Sequence, residues 1–216
     1  MTAATGKRER NKKANRASIL EAARRCFLEM GYESVTIRDV IRRSTLAAGT
    51  FYNYFPDKES LFRALVETRL QIMQDRIHVA RQRATDVESF FYEAYLAVLQ
   101  EARADPQFFE LMFRNEAVVH SFYKDNFFGL IMQSLRGDLQ DAIVRGLIPE
   151  LDVDVLTSIS FGAGYELARL IVQQPRRDLE PTARFVTQVF LRGVPTTPSS
   201  TRLIRLGSRL LGGAAR

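Results

Sequence analysis

The chain from Thr36 to Leu61 reads TIRDVIRRSTLAAGTFYNYFPDKESL. Its first part predicts a short helix, because Asp39 stands three residues after Thr36, at the spacing of a capping box. Pro56 then interrupts the helical pattern, and Asp57 is a good N-cap for a long helix that follows. Between the two, the segment Ala47–Tyr54 has the length of a short third helix. The stretch therefore predicts closely spaced helices joined by tight turns.

Helical periodicity continues on both sides of this stretch. Upstream, apolar residues share one face of a helix that is expected to end at Gly31; they are Ile19, Leu20, Ala23, Cys26, Phe27 and Met30. Downstream, spacing and proline positions predict helices over about 86–103, 106–114, 117–145, 152–173 and 181–192. No segment supports a parallel sheet, so we predict an all-α fold.

Composition and charge narrow the class of protein. The 216 residues are 46% hydrophobic and 26% charged, as in an ordinary globular protein. Residues 1–70 hold 14 Lys and Arg against 8 Asp and Glu, which equals the whole net charge of +6. A basic front end favours contact with a polyanion, although a solvated charged surface is an equally good explanation of charge alone. A single cysteine and short apolar runs predict a cytoplasmic protein without disulfides, a membrane span or stable membrane association.

The residues around Gly49 carry a family resemblance. The run Gly49, Thr50, Phe51, Tyr52, Asn53, Tyr54 and Phe55, followed by Lys58, Glu59 and Leu61, resembles the DNA-binding domain of the TetR/AcrR family of bacterial transcriptional regulators. The likeness covers roughly residues 17–70. It departs from the family at Thr45, where glycine is usual in the turn, and at Ala47, where a serine usually caps the recognition helix.

The resemblance implies a helix-turn-helix unit whose short helix enters the major groove of DNA. Small residues there suit close approach to base edges, hydroxyl groups suit phosphates, and cations add neutralisation. The DNA contacts that we predict are Thr36, Arg38, Ala47, Ala48, Thr50, Tyr52, Tyr54 and Lys58.

Family members also carry a helical C-terminal domain that binds a small ligand and forms a homodimer. On that resemblance the dimer interface contains Leu156, Ile159, Ala163, Leu167, Leu170 and Phe185. Aromatic residues and methionine are concentrated in the middle helices, where they suit either an apolar ligand pocket or plain core. The predicted pocket residues are Phe91, Tyr95, Phe109, Met112, Phe113, Phe127, Phe128 and Tyr165. A weak likeness to regulators of fatty-acid metabolism suggests an acyl-thioester-like ligand, with Arg114, His120 or Lys124 near its polar head.

These observations predict a basic flexible arm (1–16), a helix-turn-helix domain (17–63), a ligand-binding and dimerisation domain (64–193) and a basic tail (194–216). The predicted function is a regulator, most simply a repressor that a small hydrophobic ligand releases from a palindromic double-stranded DNA operator. Control by a partner protein, activation, and lipid carriage remain alternatives. The two histidines are isolated, and the sequence has no nucleophile motif. We therefore expect no enzyme activity, no metal site and no cofactor.

Overall fold

The computed structural model describes residues 2–122 and 127–193. Within them every regular element is an α-helix, which confirms the predicted all-α class. The helices are α1 (Thr2–Met30), α2 (Ile37–Ser44), α3 (Ala48–Tyr52), α4 (Lys58–Gln82), α5 (Val87–Ala104), α6 (Pro106–Arg114), α7 (Glu116–Phe122), α8 (Phe127–Val144), α9 (Val153–Gln173) and α10 (Leu179–Arg192). Helix α5 lies centrally and packs against α4, α6, α9 and α10.

The predicted ends of the helices around residues 31–61 are confirmed. Thr36 and Asp39 form a complete capping box at the start of α2, and Asp57 forms another with Ser60 at the start of α4. Gly31 follows α1 with a φ of +77°, a left-handed backbone that glycine adopts without steric cost. Local side-chain to backbone hydrogen bonds therefore fix the boundaries of these helices.

One part of the chain differs from the prediction. Helix α1 begins at Thr2, so residues 2–16 continue it as a helix where we predicted a flexible arm. The reason is composition, because this segment lacks proline and is rich in lysine, arginine and alanine, which are good helix formers. The helix predicted over 117–145 corresponds to α7 and α8, and residues 123–126 between them lie outside the described part of the chain. The tail 194–216 also lies outside the described residues.

The turn between α2 and α3 holds the one non-glycine residue with a positive φ among the residues that the structure describes. Thr45 has φ 60° and ψ 12°, a left-handed conformation at the C-cap of α2. Its hydroxyl donates to the Ser44 carbonyl oxygen at 2.7 Å. Ala47 is the N-cap of α3 and makes no side-chain hydrogen bond there. Both departures from the family pattern thus leave the turn formed but weakened.

Replacing Thr45 with glycine should stabilise the protein. A β-branched residue pays about 1–2 kcal/mol for a left-handed backbone, while glycine's extra freedom in the unfolded chain offsets part of that gain. We expect the free energy of unfolding in urea to rise by about 0.5–1 kcal/mol. Thr50→Gly is the matched control, because residue 50 lies inside α3 and should lose stability. Equal losses in the two variants would contradict strain at Thr45.

Helix α4 joins the N-terminal helices to the body. Near its start, Phe62 packs edge-to-face against Phe27 of α1, with ring centroids 5.1 Å apart. Farther along, Leu70 and Ile77 are buried in the body. Because one uninterrupted helix contributes to both cores, a shift of α4 in the body must also displace the N-terminal unit.

An ion-pair network fixes α4 to the next two helices. Arg69 pairs with Glu101 of α5 at 2.6 Å and with Asp105, the N-cap of α6, at 3.2 Å. Arg76 also pairs with Glu101, whose side chain is almost completely buried. Burial alone would raise the pKa of Glu101, but hydrogen bonds from Arg69 and Arg76 outweigh it and lower that pKa. The carboxylate therefore stays charged and holds α4 in place.

One described helix, α9, is long and apolar enough to cross a membrane by length and composition, with a mean hydropathy of 1.3. A single helix of this kind is weak evidence for a membrane span, since core helices of water-soluble proteins share its composition. The structure explains its apolar character in another way. Ala168 and Ile171 lie in the core, while Val155 and Ile159 are exposed on another part of the helix surface. Helix α9 thus has apolar residues on two faces.

Candidate DNA-binding surface and internal cavity

The short helix α3 presents its small residues to solvent. Ala47, Ala48 and Gly49 are exposed, and the Tyr52 side chain is 54% exposed. Phe51, on the opposite side, is completely buried and anchors α3 to the N-terminal core. The predicted contact residues on α3 therefore form an accessible face of a rigidly held helix, with Thr50 half-buried at its edge.

Gly49 has no packing role within the chain. A Cβ placed on it would meet no atom within 4 Å. Its φ is not positive, so the backbone does not require glycine either. The space above Gly49 is therefore open to a molecule that approaches α3 from outside.

Helix α2 supplies the predicted contacts Thr36 and Arg38, and both are exposed. The Thr36 hydroxyl donates to Asp39 at 2.6 Å while accepting from the Asp39 backbone N–H at 3.3 Å. The hydrogen bonds from Thr36 hold the pKa of Asp39 below its usual value. Thr36 is therefore committed to capping in this structure, whereas Arg38 has no such partner among the hydrogen bonds and ion pairs of the described residues.

Lys58 and Tyr54 also have structural contacts beside their predicted role. The Lys58 ammonium donates to the Tyr32 carbonyl oxygen at 2.9 Å and lies 4.3 Å from the centre of the Tyr32 ring. It thereby fixes the loop between α1 and α2 to the start of α4. Tyr54 is half-buried and packs partly against the core. Both remain predicted DNA contacts.

Basic residues on α1 extend this surface. Lys12 and Lys13 are exposed, and the Arg16 guanidinium lies 5.5 Å from the centre of the Phe55 ring, beside the turn after α3. The excess positive charge of residues 1–70 is thus presented on the same unit as the exposed helix α3.

The body contains an internal cavity of about 110 Å³. Six of the eight predicted pocket residues line it, namely Phe91, Tyr95, Phe109, Met112, Phe113 and Tyr165. The side chains of Phe127 and Phe128 are outside the described part of the structure. Burial raises the pKa of Tyr95 and of Tyr165, so both phenols stay protonated in the cavity wall.

Sequence reasoning missed the polar groups of this cavity. Arg81 of α4 and Ser160 of α9 lie in its wall, and neither is among the predicted pocket residues. Their only sequence signal is a polar residue at a buried position of a helix. Arg114, one candidate for the ligand head, is a surface residue that donates to the Glu29 carbonyl oxygen of α1 at 2.8 Å and does not line the cavity. The side chains of His120 and Lys124 are not among those described.

Helix α6 connects the cavity to the N-terminal unit. Phe109 and Met112 line the cavity. At the end of α6, the buried Asn115 accepts a hydrogen bond from the Tyr32 backbone N–H at 2.6 Å and donates to the Leu111 carbonyl oxygen at 2.7 Å. A ligand in the cavity that displaces α6 would therefore also displace the loop between α1 and α2.

Exposed apolar residues mark a further surface on α9 and α10. Ile159 is 55% exposed and Phe185 is 62% exposed, and both belong to the predicted dimer interface. The other predicted members, Leu156, Ala163, Leu167 and Leu170, are half-buried. Val155 and Leu151 are exposed as well, and sequence periodicity had not singled them out. Exposed apolar side chains of this size favour a protein partner.

The N-terminal unit has the features of a helix-turn-helix DNA-binding protein: a buried anchor under a short exposed helix, small residues on its face, and surrounding cations. Comparison with known proteins agrees. The profile of the bacterial regulatory proteins of the tetR family matches residues 19–65. The repressor AcnR of Corynebacterium diphtheriae is 30% identical over 148 residues, which are 65% of this chain and 72% of that protein. The chain belongs to the TetR family of bacterial transcriptional regulators.

Other relatives match over less of their length or show the fold alone. AcnR of Corynebacterium efficiens is 34% identical over 115 residues, so the matched part spans 50% of this chain and 60% of that repressor. A putative fatty acid metabolism regulator of Clostridium perfringens superposes with a TM-score of 0.66 at 18% identity, covering 83% of this chain and all of that one. FadR of Bacillus subtilis, solved in complex with stearoyl-CoA, superposes with a TM-score of 0.63 at 19% identity, covering 83% and 99%.

Proposed function

We propose that this protein is a repressor that binds a palindromic DNA operator as a homodimer, in the cytoplasm, and that a small hydrophobic ligand releases it. The observation that carries the DNA-binding part is the open face of α3. A helix with exposed Ala48, Gly49 and Tyr52 and nothing above Gly49 fits the major groove, which admits one helix. A dimer on promoter DNA needs no further contact to exclude polymerase.

The exposed apolar residues of α9 and α10 support the homodimer. A two-fold axis through this surface pairs α9 and α10 with the same helices of a second copy and buries Ile159 and Phe185. The two recognition helices then face successive major grooves, about 34–36 Å apart or a multiple of that distance. Two-fold symmetry of the protein in turn requires a palindromic operator.

The cavity supports ligand control by its size and its walls. Its volume of about 110 Å³ is below the roughly 300 Å³ at which typical ligand pockets begin. A larger ligand must therefore push a wall helix outward, and α6 is tied to α1 through Asn115. Since α4 forms another wall, occupancy shifts both helices that reach the N-terminal unit. A ligand that favours the shifted arrangement thereby lowers operator affinity.

The ligand class that we favour is an apolar molecule of the acyl type. Aromatic and methionine side chains form most of the cavity wall, and such walls adapt to flexible chains. One protein of the same fold was solved with stearoyl-CoA, which is a long-chain acyl thioester. Control by a partner protein in place of a ligand would leave the cavity without a role.

Capture of genomic DNA tests the proposal. Purified protein is incubated with sheared DNA of its own bacterium, and the bound fragments are sequenced. We expect a few peaks that share one palindrome, and we expect Tyr52→Ala to lose them, while Tyr92→Ala on α5 keeps them. A flat, salt-sensitive profile would contradict sequence-specific binding. Release of the captured fragments by acyl thioesters would support ligand control.

A further inference from the structure

The cavity contains the two buried side-chain polar atoms that lack a hydrogen-bond partner in the part of the chain that the structure describes. They are the Arg81 Nε and the Ser160 Oγ. Arg81 comes from α4 and Ser160 from α9, and both residues line the same cavity. Ser160 is 7% exposed. Buried polar atoms normally have a hydrogen-bond partner, so two such atoms without one in the same mostly apolar cavity indicate a missing polar group.

A third polar side chain lies beside Ser160. The Tyr95 hydroxyl donates to the Ser160 carbonyl oxygen at 3.4 Å. Arg81 lines the same cavity as Tyr95 and Ser160. We call Arg81, Tyr95 and Ser160 the polar cluster of the cavity.

The charge of Arg81 is already balanced. Its Nη1 donates to Asp138 of α8 at 2.9 Å, and Asp138 also contacts the His78 ring nitrogen Nδ1 at 2.6 Å. Asp138 is almost completely buried, so its negative charge acts at close range. What Arg81 still offers to the cavity is one N–H donor, and Ser160 offers one O–H donor.

We propose that this cluster binds a neutral carbonyl oxygen of the ligand, such as that of a ketone, an ester or a thioester. A carbonyl oxygen has two lone pairs and accepts hydrogen bonds from donors such as these two. A carboxylate is disfavoured, because it would bring a second negative charge near Asp138. The inference rests on the ligand control proposed above and specifies the polar end of the ligand that enters the cavity.

Calorimetric titration of the full chain with three small probes tests this assignment. The probes are acetophenone, ethylbenzene, which matches it in size but has no oxygen, and benzoate. Ser160→Ala removes one donor with little change in volume, and Arg81→Lys keeps the charge opposite Asp138 but removes the Nε donor. Ser134→Ala is the matched control, because Ser134 lines the same cavity.

We expect Ser160→Ala and Arg81→Lys each to weaken acetophenone binding about fivefold to tenfold, the effect of one lost hydrogen bond. Ethylbenzene binding should change less than twofold, and Ser134→Ala should change neither probe. Benzoate should bind the parent protein more weakly than acetophenone. Ser160→Ala should also raise the midpoint of thermal unfolding of the unliganded protein, because it removes a buried hydroxyl without a partner.

Each contrary result would contradict a specific part of this proposal. If both variants change the binding of acetophenone and of ethylbenzene to the same extent, or change the binding of neither probe, the cluster does not bind a carbonyl oxygen. Tighter binding of benzoate than of acetophenone would overturn the preference for a neutral group. If no probe binds at all, the cavity is plain core, and the proposed ligand control fails together with this inference, whereas operator binding stands on its own test.

Discussion

Phe185→Arg should convert the protein to a monomer and reduce operator affinity more than a hundredfold. Phe185 is the large side chain of α10 that is 62% exposed, and the proposed two-fold axis buries it between two copies. An arginine there would place two unpaired charges in an apolar interface, which costs several kcal/mol. A monomer reaches only one half-site and loses the contribution of the second. Light scattering at micromolar concentration and fluorescence anisotropy with the captured operator measure the two effects.

Two further variants make this test specific to the interface. Ile159→Arg on α9 should have the same effect, since Ile159 is exposed on the same proposed surface. Val144→Arg is the control, because Val144 at the end of α8 is 88% exposed and lies outside that surface. All three positions are solvent-exposed, so we expect unchanged helix content by circular dichroism. A dimer that persists in both Phe185→Arg and Ile159→Arg would disprove the α9–α10 interface.

Gly49→Ala should stabilise the protein and weaken its binding to DNA. The added Cβ has open space, and alanine is better than glycine inside a helix by about 0.5–1 kcal/mol. In the proposed complex that same space holds the DNA backbone or base edges, so we expect the methyl group to force the helix away. We expect an affinity loss of about tenfold for Gly49→Ala and at least a hundredfold for Gly49→Leu. Urea unfolding and fluorescence anisotropy give the two quantities.

Misfolding would lower both the stability and the operator affinity, whereas Gly49→Ala is expected to raise the stability and lower the affinity. Gly137→Ala on α8 is the matched control, because a Cβ there also meets nothing within 4 Å. It should raise the free energy of unfolding without changing operator affinity. If Gly49→Ala binds the operator as tightly as the parent, α3 does not enter the groove through this face.

The capping pattern and the family motif were enough to predict how the N-terminal unit folds. Thr36 with Asp39, and Asp57 with Ser60, act over three residues, so their effect can be read from neighbouring letters. The aromatic composition of the middle helices likewise predicted six side chains that line the cavity.

The all-α class and the helix ends around the turn could be predicted from the sequence, because they depend on contacts between residues a few positions apart. The contacts of four side chains could not be predicted, since their partners or neighbours lie on other elements of the fold; these are Lys58, Asn115, Arg81 and Ser160. Lys58 donates a hydrogen bond to a carbonyl oxygen 26 residues away, and Asn115 accepts one from a backbone N–H that is 83 residues away. Arg81 and Ser160 meet at one cavity only after α4 and α9 have packed around α5. Helix packing sets such pairings, and residue spacing along one chain does not encode them.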